Sequence, residues 1–329
     1  MAELPPSPEE KQRVEADARN ALKLLMAGES EQGFDLYDRC LQTPFGYTLP
    51  VGLHLLFLDR AAKQEVADRL RTLALSRGGN IVLKGVALEA DGAEAAAEYE
   101  ALLARGQFNT RMMESYLMLL TRLERFERLA QLCDQEQLLR AVSVGPTAAE
   151  AAELAESVQA LLLREEEAAA YAEAAQSVRN QRQISPLEKI PDRPISKLLS
   201  LLKQETTKYL TAWAESAHPL AVHVPRTFRL EAWALISRGE GFNEPHIHHR
   251  GWATGVYYPG GLEPGRTGGE LCIGPPKAVA DAPAGWPRAR IRPEAGLLVL
   301  IPSYYTHWTV PLGRPGLRTA IAFDIVPES

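Results

Sequence analysis

Apolar positions follow two different periods along the chain. Up to about residue 183 they recur at i, i+3, i+4 and i+7, as in AAEYEALLARG (96–106) and RMMESYLMLLTRLERFERLAQL (111–132). That spacing lays one apolar stripe along an α-helix and predicts an all-helical first half. Proline and glycine punctuate it at QTPFGYTLP (42–50) and SRGGN (76–80). Amphipathic segments begin near Glu31, Gln64, Glu94 and Glu127, about 30–33 residues apart. A tetratricopeptide helix pair repeats at about 34 residues, so the expectation is a helical-repeat array of that kind, with an ordinary helical bundle as the alternative. Such arrays stack into concave surfaces that hold peptides or proteins, which points to a macromolecular partner. TAAEAAELAESVQALLLREEEAAAYAEAAQSVRNQ (147–181) reads as its last long helix.

QISPLEKIPDRPISK (183–197) holds three prolines and marks a boundary. The expected division is a helical-repeat domain over 1–183, a linker over 184–197 and a second domain over 198–329. SKLLSLLKQETTKYLTAWAE (196–215) is one more amphipathic helix. After it come short runs bounded by Gly and Pro: AVHV, FRLEAWALI, ATGVYYP, GELCIG, ARIRP, GLLVLIP and RTAIAFDIV. These predict an all-β barrel or jelly roll carrying one helix. The fold class is α+β in two domains.

Composition narrows the partners. The 329 residues carry a net charge of −6, so neither nucleic acid nor an anionic membrane surface is an expected ligand. No run approaches the roughly 20 apolar residues of a membrane span. The polar, acidic N-terminus has no apolar core of a signal peptide. Three scattered cysteines, Cys40, Cys133 and Cys272, argue against a disulfide framework and for a reducing compartment. A cytoplasmic location is therefore expected.

The candidate chemistry lies near the C-terminal end. NEPHIHHRGWATGVYYPGG (243–261) packs three of the seven histidines into four positions. On a strand, His246 and His248 share a face and His249 takes the other, so the first two could chelate one metal. A third ligand must come from another strand, and His307 in IPSYYTHWTVP is in place for that. Arg318 opens the apolar strand RTAIAFDI, where a guanidinium needs an anionic partner such as a carboxylate. His54 and His223 lack such neighbours and read as structural. His218 follows a helix end, where the dipole favours a histidine. Trp252, Tyr304, Tyr305 and Trp308 flank the histidines as a substrate wall or, equally, as buried aromatics.

The order His-x-ligand, then GGE (268–270), then a distal His followed by Arg resembles the iron(II)- and 2-oxoglutarate-dependent oxygenase superfamily. It is most similar to bacterial members fused to tetratricopeptide-like repeats. The resemblance spans about residues 228–327, through PHIHHRGWATGVYYP, GGELCIGPP and GLLVLIPSYYTHWTVPLGRPGLRTAIAFDI. It implies a double-stranded β-helix (jelly-roll) domain that uses Fe(II) and 2-oxoglutarate. His246, His248 and His307 would hold the metal. Arg318 and Tyr258 would bind the far carboxylate of 2-oxoglutarate, and Thr254 would line the same pocket. Thr254, Val256 and Tyr258 share a strand parity, which is consistent. The implied reaction couples decarboxylation of 2-oxoglutarate to succinate with hydroxylation of a substrate, here a protein or peptide held by the repeats.

Two positions depart from the superfamily pattern. The usual second ligand is a carboxylate, so His248 leaves the metal with one negative charge fewer. Glu244, on the same parity, and His249 remain open as ligands in place of His248. Ala320 stands where many members have a serine that bonds the cosubstrate. The residues also leave open a three-histidine oxygenase or cupin-like protein indifferent to 2-oxoglutarate, and a non-catalytic repeat scaffold.

Overall fold

The computed structural model describes residues 8–43, 49, 51, 54–55, 58, 61–76, 93–106, 109–145, 147–168, 178–190, 192–263, 265, 267–282, 284–312 and 316–328. The chain divides into two compact units, 1–119 and 120–329.

The first unit is helical, as the period predicts. It holds α1 (Pro8–Ala27), α2 (Ser30–Gln42), α3 (Gln64–Ser76), α4 (Ala93–Ala104) and most of α5 (Thr110–Arg122). Apolar stripes of α1, α2 and α3 close one core around Ala18, Ala21, Leu25, Tyr37 and Leu70. Tyr37 Oη lies 2.7 Å from Nδ1 of buried His54, so that histidine is structural as expected. On α4 and α5, Tyr99 and Tyr116 stack with ring centroids 4.8 Å apart.

The second unit mixes helices with two antiparallel sheets. It begins with α6 (Phe126–Leu132), α7 (Gln135–Leu138), β1 (Arg140–Ser143), α8 (Ala148–Ala168), β2 (Val178–Ile184) and α9 (Arg193–Ala214). The strands β3 (Phe228–Asn243), β4 (Ala253–Tyr258), β5 (Leu271–Ile273), β6 (Ala289–Ile291), β7 (Leu297–Pro302), β8 (His307–Thr309) and β9 (Leu317–Pro327) follow. One sheet has the order β1-β7-β4-β9-β3-β2 and the other β6-β5-β8.

The sheet reaches across the boundary expected at 183–197. Arg140–Ser143 pairs with β7, and Val178–Ile184 pairs with β3. The expected long helix over 147–181 ends at Ala168, and its last residues belong to β2; residues 169–177 lie outside the described set. Leu187, inside the expected linker, is fully buried. The physical reason is edge pairing: a long central strand such as β3 offers a row of backbone groups, and a short polar segment satisfies them without an apolar signature of its own. AVHV, expected as a strand, is a single 3-10 turn at Ala221–His223.

Helix α9 follows its amphipathic pattern, starting with Pro194 in its first turn, where a missing N–H costs nothing. Its buried face runs Ile195, Leu198, Leu202, Thr206, Tyr209 and Trp213, and Tyr209 Oη donates to Leu138 O at 2.8 Å. Each fully buried leucine contributes about 1.5–3 kcal/mol. Beyond α9, Trp213 Nε1 and Leu220 N both donate to Nδ1 of buried His218, at 3.1 Å each. His218 is thus a neutral acceptor in the core rather than a cation on the helix dipole, and burial holds its pKa down to about 4.

That depression fixes a sign. The unfolded chain takes up the proton near pH 6.5, while folded His218 refuses it until about 4. The contribution to stability is whole above pH 6.5 and is lost as pH falls toward 4. Thermal unfolding followed across that window should show a falling midpoint, with a shallower slope in a His218→Gln variant; equal slopes would assign the titration elsewhere.

Candidate metal centre

The chain leaves β3 at Asn243 and does not continue as a strand through HIHH. It runs extended, and His246 makes one isolated antiparallel bridge with His307. His246 N donates to His307 O at 3.1 Å and His307 N to His246 O at 3.0 Å. His248 N then donates to Ser303 O at 3.1 Å. The backbone of the β7–β8 turn therefore clamps the histidine segment at two points.

His246, His248 and His307 come together so that one ring nitrogen from each lies within 4.8 Å of the others. The two histidines that the alternation argument put on one face are thus brought together with His307, although the segment is a bridged loop rather than a regular strand. Among the described residues His249 and Glu244 are not in this group: His249 is exposed at the cavity, and Glu244 contributes its backbone carbonyl.

Hydrogen bonds fix the ring tautomers. Nδ1 of His246 meets Glu244 O at 2.7 Å, and Nδ1 of His307 meets Tyr305 O at 2.9 Å. Nδ1 of His248 meets Asp324 Oδ1 at 2.5 Å. A carbonyl or carboxylate oxygen only accepts, so each Nδ1 carries the hydrogen and each Nε2 keeps a lone pair for a cation. Burial, then the neighbouring His248, holds His246 down to about 4. Burial, then His246 and His248, pushes His307 well below the usual histidine range. Three imidazoles on one side of a cavity, each with Nδ1 turned to an acceptor, are a donor set for a divalent metal.

The cavity, about 400 Å³, opens between the two sheets. Alternate residues of β9 (Arg318, Ala320, Ala322 and Asp324) form its floor, and Thr254, Val256 and Tyr258 of β4 line it as their parity requires. The two alanines leave the volume free. Gly255 points to the other side, where an added Cβ would sit 2.2 Å from Phe323 Cζ, so the close pairing of β4 with β9 requires glycine.

Arg318 is buried at the far end from the imidazoles' carboxylate partner. Its Nη1 donates to Gly269 O at 3.2 Å, and its Nη2 to Ser237 Oγ at 3.0 Å and Thr309 Oγ1 at 3.1 Å. Those acceptors are neutral, and no carboxylate pairs with it among the described residues. Gly268, at φ +82°, brings the loop against the segment that follows β8: a Cβ there would lie 2.1 Å from Pro311 O. The GGE string thus shapes the loop that reaches the guanidinium. Tyr258 Oη is buried with no hydrogen-bond partner among the described residues, and burial pushes its phenol up to about 12 against the pull of Arg318. A buried cation and a buried unsatisfied phenol facing one cavity fit a carboxylate. Thr309 and Asn243 line the same end, so a hydroxyl is present although residue 320 is alanine.

The expected aromatic wall is elsewhere. Trp252, Tyr305 and Trp308 do not line the cavity. Trp308 follows His307 on β8 and so takes the opposite face, against Gly274. Trp252 packs on Trp213 with ring centroids 5.5 Å apart, and Tyr304 and Tyr305 are core residues. The aromatic beside the histidines is Trp233 of β3, whose ring lies 5.7 Å from that of His248 at 17°. Trp233 and Asp324 escaped the sequence reading. Asp324 shares the parity of Arg318 and is the one acidic residue of RTAIAFDIV, which was a usable signal.

Residues 231–324 match a family model described as "Putative 2OG-Fe(II) oxygenase". No curated protein gives a significant match. Among solved structures, a prolyl-4-hydroxylase of Pseudomonas putida is similar at 18% identity and TM-score 0.44, covering 61% of this chain and 100% of that one. A prolyl hydroxylase of Trichoplax adhaerens, solved with a peptide fragment of hypoxia inducible factor, shares 14% identity at TM-score 0.43, over 62% and 92% of the two chains. HygX of Streptomyces hygroscopicus, solved with nickel and 2-oxoglutarate, shares 13% identity at TM-score 0.34, over 59% and 85%.

Burial and the neighbouring imidazoles keep His246 and His307 neutral well into the acid range, so neither holds a proton for a metal to displace near neutrality. Affinity for cobalt(II) should therefore carry no proton step from these two histidines above about pH 6, and should lose a ligand as His246 begins to protonate, toward about 4. A competition titration with a chromophoric chelator measures it. Affinity that falls by more than tenfold per pH unit between about 8 and 7 would contradict the neutrality of His246 and His307.

Proposed function

We propose that this chain, whose residues 231–324 belong to the 2OG-Fe(II) oxygenase family, hydroxylates a protein or peptide as a 2-oxoglutarate-dependent dioxygenase. The observation that carries the cosubstrate reading is the pairing at one end of the cavity: among the described residues, a buried Arg318 has neutral partners only, beside a buried Tyr258 hydroxyl that has none. Both needs are met by one carboxylate, whose two oxygens take a guanidinium fork and a phenol O–H. This favours 2-oxoglutarate over a three-histidine oxygenase indifferent to it.

In this reading the two facing sheets are a double-stranded β-helix, and His246, His248 and His307 hold iron(II) through their Nε2 atoms. Bound iron(II) supplies the redox chemistry that couples decarboxylation of 2-oxoglutarate to oxidation of the substrate. The protein's part is orientation and exclusion. Arg318 and Tyr258 fix the far end of the cosubstrate, so that its keto acid end points to the histidines. Ala320 and Ala322 clear its path, and Thr254 holds the β4 wall by donating to Phe323 O at 2.9 Å. Val256, Leu271, Val299 and Ile301 keep the remaining wall apolar and dry. Beside the histidines the cavity wall continues through Trp233 to the exposed His249 and Arg250, where a substrate side chain would enter.

The helices of residues 1–119 would be the repeat array that captures the substrate. Support comes from their amphipathic stripes and repeat spacing. All three cysteines are free and buried, in keeping with a reducing, cytoplasmic setting, and no helix among the described residues is long and apolar enough to cross a membrane.

Anaerobic addition of iron(II) and then 2-oxoglutarate should produce the visible charge-transfer band of a chelated keto acid. His246→Ala should abolish it. Arg318→Ala and Tyr258→Phe should retain metal but require more 2-oxoglutarate, by about 100-fold and 10-fold, as a charge-assisted and a neutral hydrogen bond are lost. Metal binding with no band would overturn the cosubstrate assignment. For the substrate class, a cell extract treated with the loaded enzyme should show proteins that gain one oxygen atom by mass spectrometry. Oxygen gained only in the small-molecule fraction would refute it.

A further inference from the structure

We infer that Asp324 is a positioning residue of the metal centre, acting through His248. It holds that imidazole in place, and it returns at one remove the negative charge that a carboxylate ligand would have given the metal. The inference rests on the reading of the three histidines as metal ligands.

Four observations converge on the carboxylate. Asp324 Oδ1 accepts from His248 Nδ1 at 2.5 Å, with both side chains about nine-tenths buried. His246 and His307 use backbone carbonyls for the same purpose, so among the described residues His248 alone of the three has an anionic partner. Register puts Asp324 directly opposite Thr254 on β4, whose hydroxyl lies 3.2 Å from the same His248 Nδ1. The backbone is shaped to admit the group: a Cβ on Gly251 would come within 2.7 Å of Ser303 Oγ and 3.4 Å of Asp324 Oδ1. The imidazole is then held from three sides, by the carboxylate, by the stacked ring of Trp233 and by its own backbone bond to Ser303.

The chemistry follows from the charge. A carbonyl acceptor fixes a tautomer, but a carboxylate also draws the Nδ1 proton toward itself and makes Nε2 a stronger donor. His248 stands where the superfamily has its carboxylate ligand, so a site of three imidazoles would otherwise give a divalent cation no carboxylate from the protein. Asp324 supplies that anion without occupying a coordination position.

The test uses the full chain and cobalt(II) alone, with apoprotein melting recorded for each variant. Asp324→Asn keeps an acceptor oxygen and removes the charge, while Asp324→Ala removes both. Cobalt(II) should bind about 10-fold more weakly to the first and up to about 100-fold more weakly to the second, at unchanged melting of the Asn variant. In a His248→Ala background the Asp324→Asn change should have no further effect, because the two residues act as one unit. With iron(II) and 2-oxoglutarate, Asp324→Asn should move the charge-transfer band to higher energy, a shift that a merely structural residue would not cause. Wild-type cobalt affinity in both Asp324 variants would overturn the inference and leave the three-histidine reading standing. Additive losses in the double variant would put the carboxylate on the metal itself and also overturn it. Failure of the unaltered chain to bind cobalt would remove the three-histidine reading, and this inference with it.

Discussion

The antiparallel bridge between His246 and His307 is the contact on which the site depends. It joins a loop leaving β3 to the start of β8, two segments about sixty residues apart in sequence, through a reciprocal pair of backbone hydrogen bonds. Without it, imidazoles on two distant segments would have no reason to converge, because three such side chains with no shared partner gain nothing from proximity. The bond from His248 N to Ser303 O extends the same clamp, and the Nδ1 partners then orient each ring. Backbone pairing places the ligands, and side-chain pairing aims them.

The rest of the cavity is arranged around two charges of opposite sign on one strand face. Arg318 and Asp324 occupy the same parity of β9, six residues apart, with only alanines between them. Neither is placed for stability alone. A guanidinium buried among neutral oxygens, and a phenol with no partner among the described residues, are each less favourable than their solvated forms. Apolar strands such as β7, whose Leu298, Val299 and Leu300 are almost wholly buried, offset that cost. Arg318 keeps one end of the cavity ready for an anion, and the imidazoles keep the other ready for a cation.

The second unit also enlists elements that have no chemistry of their own. β1 and β2 extend the larger sheet at its two edges. Tyr304 Oη donates to Leu132 O at 2.8 Å, and Trp286 Nε1 to Thr121 Oγ1 at 2.8 Å, so the helical stretch before β1 packs on the strands that carry the site. Aromatic residues near the histidines in sequence serve this packing. Trp252 lies on α9, and Tyr305 lies in the core.

What the sequence determined by itself is local. Period 3.6 announced the helices, short runs between Gly and Pro announced β3 to β7 and β9, and period 2 put Thr254, Val256 and Tyr258 on one face. HIH with a distal histidine, followed by Arg318, pointed to residues that gather around one cavity, because those residue types have few structural uses together. Tertiary structure decided which elements meet. The register that sets Thr254 against Asp324, the bridge that sets His246 against His307, and the recruitment of β1 and β2 depend on backbone pairing between distant segments. Backbone groups are alike in every residue, so that pairing leaves little mark on side-chain pattern. For the same reason Trp233 and Asp324 came to the site unannounced, while Trp252 and Trp308, its neighbours in sequence, face away.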